Sequence, residues 1–263
     1  MPNPHLPPEI LDHIVDFLHG CPSALRWCCL VSKSWVPRTR KHLFAEVDLC
    51  YKHDLECWKA MFPDPSASPA HFAKSLRVGC ASDVAIADAE VGGWLTGFTH
   101  ITHLEVESIE TYCTEPAASL VAFHGFSSTV KSLCMACADH PPSQIFDFIL
   151  SSPLLEDLTV TSYRVRVDDG DGSDNTPTFV RPSNTPVLNG TLKLSLDQGM
   201  KPIISRLLVI PGGIHFRKLT LTWLHGKDLP SIIALVGECS RTLESLDIVC
   251  ISPGTSVQYL HSR

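Results

Sequence analysis

A leucine-centred strand motif recurs along most of the chain at a nearly constant interval, and that interval restricts the fold more than any other feature. Short apolar alternations stand at Ser75-Leu76-Arg77-Val78, His103-Leu104-Glu105-Val106, Ser132-Leu133-Cys134-Met135, Asp157-Leu158-Thr159-Val160, Thr191-Leu192-Lys193-Leu194, Lys218-Leu219-Thr220-Leu221 and Ser245-Leu246-Asp247-Ile248. Their leucines are spaced 28, 29, 25, 34, 27 and 27 residues apart. A unit of that length cannot bury an apolar face alone and must stack on its neighbours. Between the strands, 117–126, 142–150 and 228–239 carry apolar residues at helical spacing, with Pro230 suited to a first turn. The pattern predicts an α/β chain whose main part, residues 73–263, is a short curved solenoid with a parallel sheet on its inner side. No polar capping repeat follows the last motif, so an apolar end and a sheet edge are expected there.

The amino terminus has a different character. Pro7 and Pro8 suit a helix start, and Ile10, Leu11, Ile14, Val15, Phe17 and Leu18 then recur at three- and four-residue spacing. Gly20 stops this helix and Pro22 opens the next, which carries Leu25, Trp27, Cys28 and Cys29. A third helix is expected to be capped by a hydroxyl of Ser32 or Ser34, with Pro37 in its first turn. Its outer side is basic through Lys33, Arg38, Arg40 and Lys41. The apolar side chains exceed what so small a core can enclose, and surplus apolar surface of this kind faces a partner.

The run Leu6-Pro7-Pro8-Glu9-Ile10-Leu11, followed by Leu30-Val31-Ser32 and Trp35 and closing on Leu43-Phe44, resembles an F-box of the type common in fungal F-box-like proteins. The motif spacing downstream is similar to that of leucine-rich repeats in a degenerate form, without the usual turn asparagine. Together these divide the chain into an F-box-like helical domain (1–48), a linker (49–72) and a leucine-rich-repeat-like domain (73–263). The F-box resemblance implies contact with a Skp-type adaptor and, through it, a cullin ubiquitin ligase. It assigns Leu6, Pro7, Ile10, Ile14, Leu25, Leu30, Val31 and Trp35 to lining or supporting that contact. Trp27-Cys28-Cys29 departs from the pattern in having a bulkier first residue.

Composition narrows the alternatives. A formal net charge of -7 disfavours general affinity for nucleic acid or an anionic membrane. No apolar stretch reaches spanning length, and the prolines at 2, 4, 7 and 8 break any secretory apolar region. An intracellular setting, cytoplasmic or nuclear, is therefore expected. The eleven cysteines are odd in number and scattered through apolar runs, which argues against a disulfide framework. Cys134, Cys137 and His140 lie close in sequence but fall short of a four-ligand zinc site, so no metal or other cofactor is expected. The long 34-residue spacing contains an acidic, proline-rich insertion at 168–186. Read as a calcium loop from Asp169, it puts Asp174 where glycine is needed and Val180 where a bidentate glutamate is needed. A surface loop is the expectation.

Gly-rich phosphate cradles, nucleophile elbows and zinc-protease helices are all missing from the sequence, and no enzyme activity is expected. Strand alternation turns the leucines inward and leaves polar residues on the opposite face. Arg77, His103, Glu105, Glu107, Asp157, Thr159, Lys193, Lys218 and Asp247 are the candidate contacts for a protein substrate on that face. The expected function is that of a substrate-recognition adaptor of a Skp-cullin-F-box ligase. The alternative is a non-catalytic scaffold that binds a Skp-type adaptor without promoting ubiquitin transfer.

Overall fold

The computed structural model describes residues 7–79, 94–107, 120–136, 142–161, 188–195, 200–222 and 226–249. The chain is α/β, and its eight described strands pair in parallel. It divides into two compact units, Met1–Val130 and Lys131–Arg263. The loop expected at 168–186 lies outside the described residues, as do Leu6, Cys137 and His140.

The first unit opens with three short helices. Helix α1 (Pro8–Phe17) begins with Pro7 as its N-cap and Pro8 at the first helical position, where a missing N–H costs nothing. Helix α2 (Pro22–Val31) starts on Pro22 in the same way. Helix α3 (Val36–Leu43) holds Pro37 in its first turn, but its N-cap is Trp35, and no side chain caps it. The expected serine cap is replaced by a turn: Ser32 Oγ accepts the Ser34 N–H at 3.3 Å, before the helix begins. Arg40, Lys41 and His42 occupy the last turn of α3, where positive charge complements the helix dipole.

Strand β1 (Glu46–Leu49) follows at once, then helix α4 (Lys52–Met61) and two 3-10 turns, Pro65–Ala67 and Pro69–Phe72. Residues 49–72, read from sequence as a linker, thus carry ordered elements, with Trp58 and Ala70 buried. The physical reason is the apolar face of β1. Val47 and Leu49 need cover, and Trp58 packs among Phe44, Phe62 and Phe98 at ring separations of 6.0, 4.9 and 5.6 Å. Strands β2 (Ser75–Gly79) and β3 (His103–Glu107) extend β1, in the registers Val47↔Leu76↔Leu104 and Leu49↔Val78↔Val106. The expected helix at 117–126 is, in its described part, a 3-10 segment, Leu120–Phe126.

The second unit repeats the scheme with β4 (Ser132–Ala136), α5 (Pro142–Ser151), β5 (Asp157–Thr161), β6 (Thr191–Ser195), α6 (Lys201–Leu207), β7 (Lys218–Thr222), α7 (Leu229–Cys239) and β8 (Ser245–Val249). Each strand pairs with the next in the chain, and one row joins Leu133, Leu158, Leu192, Leu219 and Leu246. Helix α6 was not anticipated. Its seven residues bury Ile203, Ile204 and Leu207, too short a stretch for periodicity to stand out.

A backbone device recurs at strand entries. Lys74 and Ser75 both donate their N–H to the Ala45 carbonyl (2.8 and 3.0 Å), and Thr102 and His103 do the same to Lys74. In the second unit the acceptors are Lys131 for Glu156 and Asp157, Gly190 for Arg217 and Lys218, and Arg217 for Glu244 and Ser245. The acceptor at each of these entries is a backbone carbonyl, which lets the repeats drift in sequence while the strands stay in step, and at β3 the Thr102 Oγ1 adds a side-chain bond to the Lys74 carbonyl at 3.3 Å.

Candidate functional site

Two surfaces correspond to the candidate residues, and each lies within the described part of the chain. The first is the outside of α1 and α2. Phe17 is 86% exposed, Leu30 76%, Trp27 69% and Val31 68%, with Ile10 and Ile14 also exposed. Large apolar side chains this open on short helices are unusual unless something covers them. Of the residues assigned to a contact, Pro7, Ile10, Ile14, Leu30 and Val31 are exposed and Trp35 is half-buried. Leu25 is buried to 1% and can only support the surface from beneath. Phe17 and Trp27 belong to the same exposed set and were not singled out as contacts. The signal was present for Phe17, which follows Ile10 and Ile14 on one helical stripe.

A polar cluster ties α1 to α3. Arg38 donates through Nε to Asp16 Oδ1 at 2.6 Å and through Nη2 to Oδ2, and His42 Nε2 lies 2.7 Å from Oδ1. Hydrogen bonds from Arg38 and then from His42 hold the Asp16 carboxyl well below the usual carboxylate range. His19, at the end of α1, places Nδ1 2.9 Å from the Asp16 carbonyl. A pocket of about 360 Å³ opens beside the cluster, lined by His19, Pro22, Leu25, His42, Leu43 and Glu46 among others.

The second surface is the polar face of the strands. In the first unit Arg77 stands between Asp48 and Glu105 in the register row. Its Nη2 donates to Glu107 Oε2 at 2.6 Å, while Nη1–Asp48 and Nε–Glu105 are ion pairs of 3.5 and 3.6 Å without a hydrogen bond at Nε. One guanidinium thus faces three carboxylates, and the face is acidic. Cys50 lies behind it, its Sγ 3.9 Å from Glu107 Oε2. Burial, helped by Asp48, pushes the thiol up to about 12, so it stays protonated at neutral pH. His103 is exposed at the neighbouring row with Ser75.

In the second unit Thr159, Lys193 and Asp247 share the row Cys134↔Thr159↔Lys193↔Thr220↔Asp247, and Lys218 lies in the row between Thr191 and Ser245. Lys193, Lys218 and Asp247 are exposed and Thr159 is half-buried. Asp157 has a different job. Its Oδ1 accepts the Thr191 N–H at 2.6 Å, replacing the second bond of the strand-entry device after the longest interval in the chain. Among the described residues seven cysteines are free thiols, no group of three or more His, Cys, Asp or Glu side chains could hold a metal ion, and no helix is long and apolar enough to cross a membrane. The sequence matches no known family model, no curated protein and no solved structure.

Proposed function

We propose that this chain is a non-catalytic F-box substrate adaptor: α1–α3 grip a Skp-type adaptor, and the polar face of leucine-rich-repeat-like strands in a solenoid holds a protein target for an intracellular cullin ubiquitin ligase. The observation that carries the reading is the exposure of Ile10, Ile14, Leu30 and Val31, four residues that the F-box resemblance assigns to the adaptor contact. Phe17 and Trp27 enlarge the same surface with aromatic side chains, the type most often dominant in binding energy. The mechanism is positional, since holding a target beside the ligase raises its effective concentration without chemistry in this chain.

The test is copurification of the full chain with a recombinant Skp-type adaptor and cullin, followed by reconstituted ubiquitin transfer to proteins captured by the strand face. Leu30→Asp together with Trp27→Ala is expected to abolish adaptor binding and leave captured proteins in place. Adaptor binding without ubiquitin transfer to any captured protein would favour a scaffold instead. Undiminished binding by the double variant would overturn the docking surface.

A further inference from the structure

The apolar packing of helix α1 against its unit is confined to one narrow strip, Leu11 and Val15, with Leu18 just beyond the helix end. Val15 is its one buried residue, and Ile10, Ile14 and Phe17, on one stripe, are exposed. With Leu11 half-buried one turn before Val15, the apolar contact of this ten-residue helix runs along one narrow strip, and a roll about that strip swings the exposed stripe. Asp16 stands next to Val15 and away from that stripe. Its two carboxylate oxygens take Arg38 in a bidentate grip from α3 and bring His42, one turn further along α3, to 2.7 Å. Fork-to-carboxylate pairing is directional in a way that burial is not. The charged and titratable groups around it are Asp12 on α1, which acts on Arg38, His19 at the end of α1, and His42.

We propose that Asp16 is the positioning residue of the docking surface: by holding Arg38 and His42 together, its carboxylate sets the roll of α1 and so the direction in which Ile10, Ile14 and Phe17 meet the Skp-type adaptor. The inference rests on the docking reading above and adds a residue that touches no partner.

The test compares the full chain with Asp16→Asn, Asp16→Glu and Val15→Ala. Three quantities are read: affinity for recombinant Skp-type adaptor, hydrogen exchange of the α1 amides, and methyl NOEs of Ile10 and Ile14 in the free chain. Asp16→Asn is expected to weaken adaptor binding by about tenfold, the scale of one well-placed interface residue, and to alter the NOE pattern while α1 stays protected. Asp16→Glu, which returns a carboxylate to Arg38, recovers most of both. Val15→Ala loosens α1 without touching the carboxylate, so its loss of affinity tracks its loss of protection. Wild-type affinity in Asp16→Asn, or a loss explained entirely by faster exchange, overturns the proposal. An unchanged NOE pattern overturns it even where adaptor binding itself proves absent, and absence of wild-type binding with an altered pattern overturns the docking reading alone.

Discussion

Asp228 is fully buried, and its carboxylate acts on an element 28 residues away in sequence. Oδ1 accepts the N–H of Met200 at 3.1 Å and of Lys201 at 3.3 Å, the first orphan donors of α6, while Oδ2 has no hydrogen-bond partner. Asp228→Ala strands those donors and is expected to cost about 1–3 kcal/mol in urea denaturation, with Asp228→Asn milder because one acceptor remains. Gly190 is a second such position. A Cβ there would collide with the Asp157 carboxylate and come within 2.9 Å of the Glu156 carbonyl, so Gly190→Ala must push apart the joint that carries the chain from β5 into β6. Its expected cost is about 1–3 kcal/mol, the range for forced overpacking. Asp16 supplies a pH dependence. Its folded carboxyl titrates below the unfolded one, so its contribution is complete above the ordinary carboxylate pKa of about 4 and is lost as pH falls below that. The methyl NOE pattern of Ile10 and Ile14 should therefore move towards that of Asp16→Asn as pH falls below about 4 in the wild-type chain, and Asp16→Asn should show no such step.

At the scale of elements, one register row offers an internal comparison. Leu158, Leu192 and Leu219 are buried to 1% or less, whereas Leu246, in the same row on β8, is 43% exposed. Leu192→Ala is expected to cost about 2–5 kcal/mol, the range for a closed core site. Leu246→Ala should cost about 1 kcal/mol, because roughly half of its apolar area never leaves water. Equal losses in denaturant titrations would mean that β8 is covered in solution. The same row explains what could be read from sequence. Each of the leucines at 76, 104, 133, 158, 192, 219 and 246 sits on a strand, and they anchor the register of β2 with β3 in the first unit and of β4 to β8 in the second, because a parallel strand in a stacked repeat demands a large apolar residue at a fixed place. Strand β1 escaped because Val47 replaces leucine there, although it stands 29 residues before Leu76. The role of Asp157 was hidden for another reason: its position in the alternation looks like that of Thr159, and only the pairing of β6 with β5 brings the Thr191 N–H to it. The Asp16–Arg38–His42 cluster joins residues 22 and 26 apart with no periodic trace.

For the molecule as a whole, the decisive imbalance is between a modest net charge and concentrated apolar exposure. A formal charge of -7 spread over 263 residues gives weak mutual repulsion between copies. Against it stand Phe17, Trp27, Leu30 and Val31 on the helices of the first unit and Leu246, Ile248 and Val249 on the open strand of the second. The two surfaces promote association by different physics. The helical one offers side chains whose backbone is already hydrogen-bonded, so it associates through apolar area alone. Among the described residues β8 is the last strand of the sheet, and an edge strand of this kind can template strand pairing. The purified chain without a partner is expected to self-associate, and light scattering on two variants separates the routes. Trp27→Lys with Leu30→Glu should lower the scattering while Tm stays nearly constant, because substitutions at exposed positions remove no core contact. Ile248→Lys should leave most of the association in place, because a charge on β8 blocks edge pairing but leaves the helical patch open. Reversal of that order, with Ile248→Lys alone restoring a monomer, would mean that the strand edge and not the helical surface is the stickier of the two. It would also remove solution behaviour as support for docking through α1 and α2.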